Sequence, residues 1–535
     1  MNRLARSFFA LAACLIAPAF ASAQEAGKTP GASQAADAYG KDVAQEVNKG
    51  WTKPPVEEQL STTAHSISVH GKTMKYLANA GTLTIRDENA KPTASVFYVA
   101  YTLGDKPDPR RPVTFFYNGG PGSATIWLHM GSFGPMRVQT KDPVTIAPAP
   151  YDFTPNPDTL LDRSDLVFVD AVGAGYSRPL GDAKGKDFWG VDEDADAFAK
   201  AIIRYLTKFN RWDSPKFIFG ESYGTTRSGA LAYQLDDRGA QLNGVVILSS
   251  ILNYGRRQPG YDENYISYIP TYAAAAWYHG KIANKPAKLA DFVEEARKFA
   301  RDVYAPALAK GDQISPEDVD SVASALSKFI GVDAEFIKDA NLRIDLNSFR
   351  KELLRDERKT IGRYDARYTG IDPDASGDQP EYDPSGTAIT GAFVGAFRNY
   401  IANSLNYKTD MPYLVSARIV KDFDWDWKHK APGSNFPQLQ PDVAVDLSAA
   451  LRVNPHLKLL SLNGYYDMAT PFFGTEYDIH HMMLEPAQSA NVEFRYYPSG
   501  HMVYLNPDAL HQLHADLAVW YDETLTRGRS AQGSR

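Results

Sequence analysis

The sequence predicts an α/β chain: a mostly parallel central sheet, covered by helices on both faces and interrupted by one largely helical insertion. Three observations point there. Short apolar runs at Val113–Tyr117, Leu166–Val169, Phe217–Phe219, Val245–Leu248, Leu459–Leu462 and Val492–Tyr497 read as buried strands. Amphipathic helical stretches separate several of them, the alternation expected of parallel strands joined by helices. That alternation stops near residue 255 and resumes after about residue 410, which marks an insertion. The composition agrees with a large folded unit: 535 residues, 44% hydrophobic and 23% charged, far from collagen-like or disordered chains.

Charge and cysteine content narrow the chemistry. With 57 Lys and Arg against 64 Asp and Glu, the net charge is −7. No basic surplus is present to neutralise a phosphate backbone, so nucleic acid is not an expected partner. The lone cysteine, Cys14, excludes an intrachain disulfide framework and a Cys-based zinc site.

From the N-terminus, residues 1–23 read as a secretory signal peptide. Arg3 and Arg6 precede an apolar stretch from Phe8 to Phe20, and Ala21-Ser22-Ala23 has the small-x-small cleavage pattern. The stretch is too short for a comfortable transmembrane helix. The expectation is an exported protein, periplasmic or secreted, with no transmembrane segment in the mature chain. Leu11-Ala12-Ala13-Cys14 also resembles a lipoprotein cleavage box, a rival disfavoured by the apolar residues that follow. Residues 24–50 are polar and aperiodic and read as a disordered lead-in. The core is assigned to residues 51–254 and 411–535. Between about Thr62 and Thr102, alternating runs such as Ser95–Tyr101 predict antiparallel strands opening the sheet. A helix then carries Phe198, Ile202, Tyr205, Leu206 and Phe209 on one face.

The insertion, residues 255–410, is expected to cap the mouth of the sheet. Apolar positions 289, 292, 293, 296, 300 and 303 predict a helix, and Ser315-Pro316-Glu317-Asp318 a helix start with Ser315 as N-cap. Residues 363–387, rich in Tyr, Asp, Gly and Pro, read as a long loop. Farther on, Phe423, Trp425 and Trp427 alternate with Asp422, Asp424 and Asp426. A half-buried strand is the favoured reading there. A calcium loop would need the glycine this pattern lacks.

The chemistry concentrates in a few segments. Gly220-Glu221-Ser222-Tyr223-Gly224 follows an apolar strand and precedes a helical pattern, the strand–turn–helix context of a nucleophile elbow. The bland alternative is a Gly-rich turn holding an unremarkable serine. A serine hydroxyl needs a base, and His501, in Ser499-Gly500-His501-Met502 after the last strand, is the best-placed histidine. His480, His481, His511 and His514 sit in helical patterns. Asp467, at the turn after Leu459–Tyr466, precedes His501 and suits the acid that orients an imidazole; Asp478, its competitor, lies in the next helical stretch. Asn118-Gly119-Gly120-Pro121-Gly122 follows the strand Val113–Tyr117. Such a glycine loop leaves backbone N–H groups able to approach an oxyanion. No Gly-Lys-Ser/Thr follows, so it is not a phosphate loop.

These motifs, in this order, resemble the serine carboxypeptidase family of α/β hydrolases in a bacterial exported form. Asn118–Gly122 matches its N-G-G-P-G and Asp170–Ser177 its D-x-P-V-G-x-G-[FY]-S without the proline. Gly220–Gly224 matches G-E-S-Y-[AG], Gly464–Asp467 the acid turn, and Gly500–Val503 its G-H-M-V. The resemblance implies an α/β-hydrolase fold and a cofactor-free, metal-free serine carboxypeptidase acting on peptides with a free C-terminus. It assigns Ser222, His501 and Asp467 to the triad and the N–H groups of Gly120 and Tyr223 to the oxyanion hole. It assigns Asn118, Gly119 and Glu221 to binding the substrate's terminal carboxylate. Two carboxylates side by side cannot both ionise comfortably, so such binding should favour acidic pH. The sequence departs from the family in three places. A supporting acid is replaced by Ser132, the residue after His-Met-Val is Tyr504 where proline is frequent, and the disulfides of eukaryotic members are missing. An esterase or acyltransferase on the same scaffold is the first alternative, since fold does not fix substrate. A non-catalytic binding protein is the second.

Overall fold

The computed structural model describes residues 54–533 except His70 and Pro259. The signal-peptide and lead-in assignments, and Cys14 with them, fall outside the described residues.

Three long strands, β1 (Leu60–Val69), β2 (Lys72–Arg86) and β3 (Pro92–Leu103), form an antiparallel meander. β4 (Val113–Tyr117) follows, and then a small hairpin of β5 (Met136–Val138) and β6 (Phe153–Pro155) outside the main sheet. β7 (Asp165–Val169) rejoins it, and the two-residue β8 (Arg178–Pro179) pairs with β3. The remaining central strands are β9 (Lys216–Glu221), β10 (Gly244–Leu248), β13 (Lys458–Gly464) and β14 (Val492–Tyr497). The sheet order is β1-β2-β3-β7-β4-β9-β10-β13-β14. Every pair from β7 to β14 along that path is parallel. The six predicted core strands are therefore all present, in one mostly parallel sheet.

Burial explains the arrangement. β4, β7, β9 and β10 are buried along their full length, which requires cover on both faces. One face carries Phe116, Phe168, Phe219, Leu460 and the C-terminal helix residues Leu513 and Leu517. The other carries Phe115, Ile218, Val245 and Ile247 against helix residues such as Phe198 and Leu231. The principal helices are α1 (Ile126–Gly131), α2 (Val191–Lys208), α3 (Tyr223–Asp237), α4 (Ile269–Tyr278), α5 (Leu289–Phe299), α6 (Pro316–Ile330), α7 (Thr390–Asn399), α8 (Ala444–Val453), α9 (Phe472–His480) and α10 (Pro507–Gly533). Of the predicted stripe, Phe198, Ile202, Tyr205 and Leu206 are buried in α2, while Phe209, just past its end, is half-buried.

Between β10 and β13 the chain is mostly helical. α4, α5 and α6 share a separate apolar cluster that includes Tyr272, Phe292, Leu326 and Phe349. Ser315 caps α6 by accepting the Asp318 N–H. The α5 stripe ends early, because the helix widens into a π turn at Ala300–Tyr304 and leaves Val303 exposed. The predicted long loop holds β12 (Thr369–Ile371), which pairs with β11 (Lys359–Ile361) just ahead of it.

The strand expected around Phe423–Trp427 is not formed; only an isolated bridge from Asp426 to Gly190 is present. Alternating burial is kept, with Trp425 buried and Asp424 and Asp426 exposed. The alternation reports which side chains meet the core, not a hydrogen-bonded ladder. Among the described residues no helix is long and apolar enough to cross a membrane.

Candidate active site

Parallel strands bring their C-terminal ends to one edge of the sheet, where α/β folds place their ligands. Asn118–Gly120 follow β4, Ser222 follows β9, Asp467 lies just after β13, and His501 follows β14. All four chemical segments thus converge although the first and last lie almost four hundred positions apart.

Ser222 sits between β9 and α3 with φ +61° and ψ −130°, a conformation that costs energy for a side-chain-bearing residue and is typical of functional turns. Its N–H is tied to the Leu248 carbonyl at 3.0 Å. The flanking glycines are required by packing. A Cβ on Gly220 would lie 2.3 Å from the Gly224 carbonyl oxygen, and one on Gly224 2.9 Å from that of Tyr117.

His501 Nδ1 lies 2.8 Å from Asp467 Oδ2. Asp467 is itself fixed, its Oδ1 accepting the N–H groups of Ala469 (2.8 Å) and Thr470 (3.0 Å). The Thr470 hydroxyl donates to Asp467 Oδ2 at 2.5 Å. With Nδ1 so engaged, Nε2 is the nitrogen left for the cleft, which His501 lines together with Ser222. Burial pushes the His501 pKa down, but the charge and hydrogen bond of Asp467, then Glu221, outweigh it and leave it raised. A base poised in this way can take the serine proton.

The glycine loop lies directly against the elbow: a Cβ on Gly119 would stand 2.3 Å from the Tyr223 amide nitrogen. Tyr223 opens α3, so its N–H has no partner within the helix. The Gly120 N–H likewise makes no hydrogen bond among the described residues. Gly120 lines the cleft of about 620 Å³ together with Asn118, Gly119, Glu221 and Ser222, and the Tyr223 N–H stands directly behind Ser222. The arrangement can hold a developing oxyanion next to an activated serine.

Asn118 is oriented from both sides. Its Oδ1 accepts the Leu128 N–H at 3.0 Å, and its backbone carbonyl accepts from Arg227 Nη1 at 2.9 Å. Arg227 is fully buried, paired with Asp194 at 2.6 Å, with its guanidinium 4.0 Å from the centre of the Phe198 ring. Glu221 is buried, and burial pushes its pKa up to about 7, opposed by His501 and by the hydroxyl of Tyr504. Ser132 is turned to its own helix, donating to the Leu128 carbonyl at 2.6 Å.

Sequence reasoning missed several supports. In the sequence Tyr504 stands out only as a departure from the family pattern, yet its hydroxyl donates to Glu221 Oε2 at 2.8 Å. Phe423 and Trp425 back the glycine loop and the elbow: the Phe423 ring closes on Gly122, and Trp425 meets the Tyr223 ring edge-on at 5.1 Å. The long loop returns into the site, where Tyr364 lies against the His501 ring and its carbonyl accepts the His501 N–H at 2.7 Å. Asp478 pairs with Arg256, and His511 and His514 pair with Asp158 and Asp162; none of them enters the site. Among the described residues no cluster of three or more metal-ligating side chains occurs.

The serine carboxypeptidase family model matches residues 72–503. Serine carboxypeptidase-like 36 of Arabidopsis thaliana is 25% identical over 169 residues, 30% of this chain and 33% of that protein. Serine carboxypeptidase-like 44 of the same plant is 26% identical over 215 residues, 37% and 39% of the two chains. The chain thus spans well under half the length of the curated relatives it matches. Among solved structures, a proline iminopeptidase of Mycobacterium smegmatis aligns with a TM-score of 0.35 at 14% identity, covering 83% of this chain and 98% of that one. The fold assignment rests instead on the strand order and the family match.

Proposed function

The chain belongs to the serine carboxypeptidase family, and on that premise we propose that it removes C-terminal amino acids from peptides through an acyl-enzyme on Ser222. The observation that carries this reading is the joint exposure of Asn118, Gly119, Glu221, Ser222 and His501 in one cleft. A terminal carboxylate held by the first three places the last peptide bond over the serine.

In this mechanism His501 Nε2 takes the Ser222 proton as Oγ attacks the scissile carbonyl carbon. The carbonyl oxygen becomes an oxyanion held by the Gly120 and Tyr223 N–H groups. Asp467 holds the imidazole tautomer and offsets the charge on the imidazolium. His501 then gives its proton to the leaving amine, the C–N bond breaks, and the free amino acid departs. Water, deprotonated by the same histidine, attacks the ester and regenerates Ser222.

Asn118 and Glu221 favour a peptidase over an esterase, because an ester without a free carboxylate gains nothing from them. The decisive experiment is a peptide library, half with free and half with amidated C-termini, followed by mass spectrometry. Loss of single residues from free-ended peptides alone is expected; internal cleavage, or ester turnover without peptide trimming, would refute the reading. Failure of a fluorophosphonate to label Ser222 would favour a binding protein. We also infer export, periplasmic or secreted, from residues 1–23; N-terminal sequencing of the protein from its native source, expected to begin at Gln24, tests this.

A further inference from the structure

Tyr504 lies in the helical turn Val503–Leu505, is fully buried, and does not line the cleft. Its hydroxyl donates to Glu221 Oε2 at 2.8 Å and also meets the Asn118 side chain, so it touches two of the groups assigned to the terminal carboxylate. The ring has room because Gly131 has no side chain: a Cβ there would stand 2.8 Å from Tyr504 Cε2 and 2.9 Å from Phe393 Cε1. Ser132, the next residue, is spent on the Leu128 carbonyl. A large aromatic residue therefore reaches across the end of α1 to a single carboxyl group, and the fold gives up a side chain to admit it.

We infer that Tyr504 is the positioning residue of the terminal-carboxylate site, fixing Glu221 through Oε2 so that the acid proton sits on Oε1 and is offered to the substrate carboxylate. This rests on the carboxypeptidase reading of the cleft. The phenol carries one proton and donates it to Oε2. The carboxyl proton is thereby directed to the other oxygen, and the clamp works with one acid instead of a pair. The groups facing Glu221 are His501 after β14, Asp467 after β13, Asn118 after β4, and Tyr504 itself. Burial, with the Glu221 charge behind it, holds the Tyr504 pKa well above 10, so the phenol stays a donor across the working range.

The direction of the effect follows. A bond donated to the ionised carboxylate favours that form, so removing the phenol raises the pKa of Glu221. The test compares a blocked dipeptide with its C-terminal methyl ester, from pH 5 to about 9, in wild type, Tyr504→Phe, Glu221→Gln and the double variant. For wild type, KM for the free acid should climb roughly tenfold per pH unit above about 7, while KM for the ester stays flat. Tyr504→Phe should raise KM for the acid by about tenfold at low pH and move the inflection upward. It should leave the ester unchanged, and it should be silent in the Glu221→Gln background.

An inflection that does not move, equal KM changes for acid and ester, or a Tyr504→Phe effect that persists without Glu221, would overturn the assignment. If Tyr504→Phe does not fold, the inflection in wild type and its disappearance in Glu221→Gln, read with a Gly131→Ala variant that displaces the phenol, still decide it. Ester turnover with no trimming of the free acid would instead remove the carboxypeptidase reading itself.

Discussion

Asp467, the acid of the proposed triad, shows how much a side chain's role depends on its surroundings. It is held by two backbone N–H groups and the Thr470 hydroxyl while it contacts His501. Asp467→Asn should keep the fold but disturb the imidazole tautomer, lowering kcat by roughly 10³- to 10⁴-fold with an unchanged far-UV circular dichroism spectrum. Ser222, His501 and Asp467 were legible in the sequence because glycine-flanked turns after apolar strands announce themselves. Arg227 was not, since a charged residue within a helix gives no hint that it is buried under Phe198 and bonded to Asn118. Tyr504 showed only as a residue out of pattern, and its partner lies 283 positions away.

At the level of elements, the segment around Phe423–Trp427 behaves as a clasp. It ends in His429, locked between Asp192 (2.6 Å) and Asp446 (2.8 Å). Burial lowers the His429 pKa, but hydrogen bonds and charge from the two aspartates prevail and raise it to about 9. A histidine with a raised pKa stabilises the fold fully below its unfolded value near 6.5 and loses that contribution as pH rises through about 9. The loss amounts to at most about 3 kcal/mol. Chemical denaturation at pH 6 and about 9.5 should show this decline in wild type and a flatter profile in His429→Gln; parallel slopes would refute the clasp. The sequence carried the right burial pattern here and the wrong element. Period-two alternation is satisfied by any extended chain laid over a core, and nothing local tells whether a neighbouring strand is present.

Taken as a whole, the molecule joins its sheet to its insertion through charge as well as apolar packing. Arg367 pairs with Asp142 at 2.6 Å and with Asp365 at 2.5 Å, all three buried, and donates to the Pro498 carbonyl beside the histidine loop. Burial, then the neighbouring Asp365, pushes the Asp142 pKa up to about 6. An acid with a raised folded pKa weakens the fold as pH rises past its unfolded value, and Arg367 is what limits the cost. Arg367→Met should therefore destabilise by about 3–5 kcal/mol at pH 8 and by less at pH 5, where Asp142 takes up a proton. Thermal unfolding at the two pH values checks this; an equal loss at both would contradict it. The parallel sheet and the existence of an insertion could be read from the chain, because both are written in local periodicity. The return of residues 363–367 into the site could not, since it depends on contacts across more than a hundred positions.

That return has a consequence for inheritance. The His501 N–H is bonded to the Tyr364 carbonyl, the Ala366 N–H to that of Tyr466, and the Met468 N–H to that of Arg363. Five consecutive residues of the insertion are thus stitched between the turns that carry Asp467 and His501. Recombination that trades one insertion for another must bring this stitch along or rebuild it. The helices around α4–α6 are free to diverge in sequence and length, whereas residues 363–367 must descend together with the loops they join.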